Sequence, residues 1–227
     1  MDQTQLNPHA QACLRGLMRV WFDFERRLNR IELIKRLETA AFSLEDYQSL
    51  LLHLRQQVIE GSRWITRCAS SFTRDYADVR SIVIGHANDE HKDYELLEKD
   101  YVACGGSLSD IQRGERNPGS DALHGFLMYR ASLENPIDLL GAMWMIEGLG
   151  DKMATSWAKQ IDTALGRELN CTRFLRYHAE NDHQHLQRFY QMLHRTCTDQ
   201  LIADRIEKTA IVVGRLYCLQ LEEIDEA

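Results

Sequence analysis

Proline is almost absent from this chain, with three in 227 residues. Extended runs of β-branched residues are missing too. The longest, Ser81-Ile-Val-Ile-Gly85, sits inside a helical pattern. With apolar residues recurring three and four apart, these absences exclude a β-rich chain and predict an all-α fold. The six cysteines are scattered without a Cys-x-x-Cys pair, which argues against a zinc ribbon or a dense disulfide scaffold. No long basic stripe interrupts a mixed net charge of −7, so nucleic acid is not an expected partner. No apolar run approaches the roughly 20 residues of a membrane span. The opening MDQTQLNPHAQACLRG lacks the basic-then-apolar order of a signal peptide, so the expectation is a soluble, cytoplasmic protein with no membrane association.

What is present is enough apolar material, 44% of residues, to build a sizeable core without staples. The periodicity predicts helices at about 10–28, 30–41, 44–70, 73–104, 121–133, 136–166, 172–196 and 199–224. Ser43, three residues before Asp46, has the spacing of a helix N-cap. Asn135-Pro136 is expected to cap the helix from 136, and Thr198 to mark a stop and restart. The Gly- and Ser-rich stretch 104–120 reads as a long connecting loop rather than a domain boundary. Residues 1–227 are therefore expected to form a single helical domain.

Two helices carry the same chemical pattern. In HAENDHQH, His178, Asp182 and His185 occupy positions i, i+4 and i+7, which fall within a ~60° arc, while His183 and Asn181 point elsewhere. HANDEHKD repeats the spacing with His86, Glu90 and Asp93, leaving His91 outside. Glu147 is the only acid between Asp138 and Asp151, in an apolar stretch where a buried carboxylate costs several kcal/mol unless it is paired or bound to metal. Gly141, Gly148 and Gly150 allow its helix a close approach to neighbours. Taken singly, each triplet reads as a solvated face, Glu147 as half of a core ion pair, and Met143, Trp144 and Met145 as packing. Jointly they predict one metal site. Ferrous iron accepts imidazole and carboxylate together, and helical carboxylate sites of this type draw Glu and His from facing helices. Glu90, Asp93, Glu147 and Asp182 balance two divalent ions, and His178 and His185 complete six ligands.

The segments DEHKDYELLEKDYVACGG, MIEGLG and FLRYHAENDHQHLQRFY, in this order, resemble the heme-oxygenase-like diiron oxidases and oxygenases, the iron-containing redox enzymes, over about residues 80–195. The resemblance implies a heme-oxygenase-like bundle of about seven to eight helices, shared with thiaminase II and pyrroloquinoline-quinone synthase. It also implies two irons between the central helices and dioxygen-dependent oxidation of a small organic substrate. Glu90, Glu147, His178, Asp182 and His185 fall on the family's ligand positions. Asp93 stands where the family has histidine, and His86, one turn before Glu90, is the alternative source of the missing imidazole. If neither reaches the metal, one ion is held. Heme oxygenase itself is a poor match, because neither His9 nor His53 lies in a recognisable heme motif. No cysteine lies near Glu147, which weakens a thiaminase-like hydrolase.

The expected activity is that of a non-heme diiron oxidase or oxygenase. A single-metal zinc or iron hydrolase and a non-catalytic helical partner protein stand as alternatives. Tyr94, Trp144, Phe174, Tyr177 and Phe189 are candidates for an apolar cavity suited to an acyl chain or a hydrophobic amine, or for plain core. The stripe Leu14, Leu17, Val20 and Trp21 reads as a dimer seam or a core edge, which leaves a homodimer open.

Overall fold

A computed structural model describes residues 6–226, and among these no strand occurs. The helices are α1 (Pro8–Leu28), α2 (Glu32–Glu38), α3 (Leu44–Val58), α4 (Gly61–Ser71), α5 (Ala77–Asp89), α6 (Tyr94–Ala103), α7 (Leu108–Arg113), α8 (Pro118–Ala131), α9 (Leu140–Leu149), α10 (Thr155–Leu165), α11 (Arg173–Thr196) and α12 (Gln200–Glu222). α9 is buried nearly all round, as expected for a helix that is apolar on every face. It packs between α11 and α12. α12 also carries α1 and α8, and α11 touches α5 and α6. One continuous apolar cluster runs through these contacts.

Three of the four residues of the α1 stripe belong to the core, and Val20 is half-buried at its edge. Leu14, Leu17 and Trp21 are buried on the face turned to α12, and Trp144 donates its indole N–H to the Leu17 carbonyl (3.2 Å). Among the described residues no helix is long and apolar enough to cross a membrane.

Several predicted helices are subdivided. The 44–70 segment breaks before Gly61 into α3 and α4. Ser43 caps α3 in a reciprocal box with Asp46. The 136–166 segment begins as a 3₁₀ turn, Ile137–Leu139, and carries a π-helical turn at Gly150–Ala154. Asn135 is not its cap. It sits in the left-handed region at φ 48° and accepts the Thr73 N–H (2.9 Å) and hydroxyl (3.1 Å), tying this corner to the end of α4. Asp199, not Thr198, caps α12 by accepting the Ile202 N–H.

The 104–120 stretch is not all loop, since it holds α7 and the start of α8. Asn117 caps α8 and Pro118 occupies its first turn. Gly119, read as a turn former, instead allows close approach: a Cβ there would stand 2.5 Å from the Gln220 backbone nitrogen. Sequence spacing alone cannot distinguish those two uses of glycine.

Candidate metal centre

The predicted helix 73–104 is interrupted where the chemistry lies. α5 ends at Asp89, a 3₁₀ turn covers Glu90–Lys92, and α6 starts at Tyr94. Residues three apart eclipse one another in a 3₁₀ turn. Glu90 and Asp93 thereby face the same way, and His86 is buried one turn earlier on α5. Glu147 enters from the last turn of α9 at 5% exposure. His178, Asp182 and His185 come from α11, whereas His183 is largely exposed and His91 lies on the surface.

All seven predicted residues converge. His86 Nε2 stands 3.2 Å from Glu147 Oε1, and His185 Nδ1 stands 2.8 Å from Glu147 Oε2 and 3.4 Å from Glu90 Oε1. His178 Nε2 is 3.5 Å from Asp93 Oδ2, and its Nδ1 is 3.0 Å from Asp182 Oδ1. Asp182 Oδ1 is also 3.6 Å from His185 Nδ1, so it lies between the two imidazoles. The donors form two groups with ligand atoms inside 4.8 Å: His86, Glu90, Glu147 and His185, then Glu90, Asp93 and His178. Glu90 belongs to both. His86 and Asp93, the two alternatives for the position where the family has histidine, fall in different groups.

The π turn completes the frame. It packs against α11, and a Cβ at Gly150 would stand 1.5 Å from Asp182 Oδ2. Only a residue without a side chain lets this carboxylate occupy its place. π turns recur at functional sites for such reasons.

Electrostatics mark the cluster as unfinished by protein groups alone. Burial and the facing Glu147 push Glu90 up to about 7. Burial raises Asp93 and Asp182 as well. Burial would also raise Glu147, but hydrogen bonds from His185 and His86 more than offset it and hold this carboxylate below its usual range. For His178, burial is outweighed by Asp182, Glu90 and Asp93, which take the imidazole up to about 9. Yet His86 Nδ1, Glu90 Oε1, Asp93 Oδ2 and His178 Nε2 are buried without a hydrogen-bond partner. Four orphaned polar atoms in one place would be costly. Divalent cations held by carboxylate and imidazole would satisfy the donor set, so the residues fit a metal centre.

Sequence reasoning missed Asp89. It stands 3.9 Å from His185 Nε2 and is held by Arg188 at 2.5 Å. That distance is beyond a hydrogen bond, so Asp89 faces the imidazole electrostatically while its hydrogen bond goes to Arg188. The Asp89–Arg188 pair spans two predicted helices, and only their packing reveals it.

A cavity of about 100 Å³ opens onto Glu90, Glu147, His178 and Asp182. Of the aromatics proposed for it, Phe174 lines it, with its ring 4.3 Å from that of His178. Trp144 and Phe189 are core, stacked at 5.3 Å. Tyr94 lies under Arg55 on an outer groove, and Tyr177, 37% exposed, rests its ring 5.5 Å from that of His178. Trp64, Trp157 and Tyr217 supply the remaining aromatic wall. They come from three other helices, and nothing in their spacing connects them to the ligands.

Residues 62–222 match the family described as iron-containing redox enzymes. A domain with a heme oxygenase-like fold from Shewanella denitrificans OS217 superposes with a TM-score of 0.82 at 15% identity, over 92% of this chain and 90% of that one. A TenA homologue from Pseudomonas syringae pv. tomato gives 0.76 at 14% identity over 100% and 96%. Another from P. horikoshii gives 0.69 at 16% over 93% and 97%. At these identities the likeness shows the fold, a heme oxygenase-like helical bundle. No curated protein matches the sequence.

Proposed function

Because the chain belongs to the iron-containing redox enzyme family, we propose that it is a non-heme diiron oxidase or oxygenase that uses dioxygen to oxidise a small organic substrate. The observation that carries this reading is the pair of overlapping donor groups joined by Glu90, whose residues hold four buried nitrogen and oxygen atoms that make no hydrogen bond.

His86, Glu147 and His185 would hold one ferrous ion, Asp93 and His178 the other, with Glu90 shared and Asp182 beside both imidazoles of α11. Two such ions supply the electrons and the Lewis acidity for reducing dioxygen against a bound substrate. The four carboxylates cancel the charge of two divalent cations, which leaves a neutral interior in which an apolar substrate is not penalised. Glu147 holds the His86 and His185 rings in place, and Asp89 faces His185 electrostatically. Phe174, Trp64 and Trp157 keep water from the reacting face and orient the organic molecule by its apolar surface. No lysine or arginine lines this cavity, so an apolar chain or a neutral ring suits it better than a multiply charged anion.

A thiol nucleophile has no support here. Cys68, the cysteine near His86, is pushed up to about 12, chiefly by burial, and so stays protonated.

The test is iron bound per chain after anaerobic loading with ferrous ion, followed by the optical response to a pulse of dioxygen. Two irons and a transient visible band are expected. His185→Ala should lose iron while keeping its helicity; unchanged iron content in that variant sinks the assignment.

A further inference from the structure

A second cavity meets the cluster at His86. It is lined from α4, α5, α9 and α11, with His86 the one proposed ligand on its wall. The inward faces of three ligand-bearing helices continue into it with helical spacing. Val79 and Val83 precede His86 on α5, Leu140 and Met143 precede Glu147 on α9, and Met192 and Thr196 follow His185 on α11. Each of these faces is therefore polar at the centre and apolar about two turns away, at Val79, Leu140 and Met192. Val79 to His86 spans about 10 Å along the helix axis.

The cavity holds about 40 Å³, less than half the space of the aromatic one, and Trp64 and Ile65 line both. It leaves less room for an organic substrate than the aromatic cavity does. Water is not favoured either, since it needs two to four polar partners. The Thr196 hydroxyl is already given to the Met192 carbonyl (2.8 Å), Val79, Val83, Leu140 and Met143 offer none, and the His86 ring supplies one free nitrogen at most. Apolar cavities take up apolar guests such as xenon.

We propose that this cavity is a binding site for a small apolar gas, the dioxygen of the reaction, which reaches the centre from the His86 side while the organic substrate occupies the Phe174–Trp157 side. The inference rests on the dioxygen-dependent reading of the centre and deepens it. Separate chambers let the two reactants be held together without competing for one space. The apolar chamber also concentrates a gas that partitions into apolar surroundings in preference to water.

Xenon is the probe, because it tests the chamber without metal or turnover. A crystal of the full chain pressurised with xenon should show one site against Val83, Met143 and Met192. Val83→Phe, which fills the chamber one turn from His86, should remove the xenon. Ferrous-loaded Val83→Phe should keep its iron and its anaerobic binding of an apolar dye in the aromatic cavity. Its half-saturating dioxygen concentration for iron oxidation should rise several-fold. Val79→Phe, farther from the ligands, should act in the same direction and guards against a folding defect in the first variant. No xenon in the unsubstituted protein, or unchanged dioxygen dependence in variants that exclude xenon, overturns the gas site while leaving the iron reading intact. Failure of the unsubstituted protein to take up ferrous ion is a separate result: it overturns the functional reading, and the gas site falls with it.

Discussion

Replacing Gly150 with alanine puts a methyl carbon 1.5 Å from Asp182 Oδ2, against an ordinary contact of 3.4 Å or more. Either the π turn or the carboxylate must give about 2 Å. The turn is held between α9 and α10 and lies against α11, whereas the Asp182 side chain can rotate. The shift falls on Asp182, whose 3.0 Å contact with His178 Nδ1 is then lost. Overpacking costs roughly 1–3 kcal/mol, and removing a helical glycine returns about 1. The net loss is at most about 2 kcal/mol, or a fall in Tm of up to roughly 8 °C for a chain of this length. The metal centre suffers more than the fold, because displacing even a supporting carboxylate weakens metal affinity by about 10–100-fold. Gly150→Ala should therefore fold, melt slightly early and bind ferrous ion at least tenfold more weakly than the parent. Anaerobic ferrous titration, with a thermal melt of the metal-free protein alongside, measures both. Parental iron affinity in a folded Gly150→Ala protein would refute the claim that this glycine exists to seat Asp182.

Other outcomes follow from the same geometry. In the metal-free protein Glu90 lies at about 7 against an ordinary 4.5, and His178 at about 9 against 6.5. Both folded values are raised, so each contribution to stability is complete below the unfolded value and is lost as pH rises through the folded one. Metal-free Tm should decline between about pH 4.5 and 9. Ferrous ion, which binds the deprotonated ligands, should add more to Tm at pH 8 than at pH 6; a gain that is flat or shrinking with pH contradicts the assignment. Asp138, 1% exposed, accepts from Arg130 (2.6 Å) and Thr209 (3.0 Å) and faces Arg205 at 3.4 Å. Asp138→Ala strands the partly buried Arg130 and should cost about 3 kcal/mol in urea unfolding with iron binding retained. Asn135 holds a left-handed turn and both Thr73 donors. Asn135→Gly, which keeps the backbone freedom, should destabilise less than Asn135→Ala; the reverse order in thermal melts would show that the turn carries no strain.

Helical class, the inward triplets and the isolated Glu147 were legible in the chain because each depends on local periodicity. Residues at i, i+4 and i+7 share a face whatever surrounds them, and an acid in an apolar helix needs a partner wherever that helix lies. The Ser43 cap was legible for the same reason, being a three-residue event. Contacts between distant segments were not. The 3₁₀ turn at Glu90, which aligns that carboxylate with Asp93, and the π turn after Glu147, which admits Asp182, both interrupt helices whose sequence pattern continues unbroken through them. Tertiary packing selects these turns, since the interhelical contacts at the centre outweigh the small differences between helix types. Asp89 near His185, the aromatic wall from Trp64, Trp157 and Tyr217, and the apolar chamber at His86 likewise exist only once α4, α5, α9, α10, α11 and α12 are side by side. The sequence by itself determined which side chains could hold a metal. Only the tertiary structure decided how they group, which carboxylate is shared, and on which sides of the centre space is left for reactants, because grouping and empty volume are properties of packed surfaces and not of any one helix.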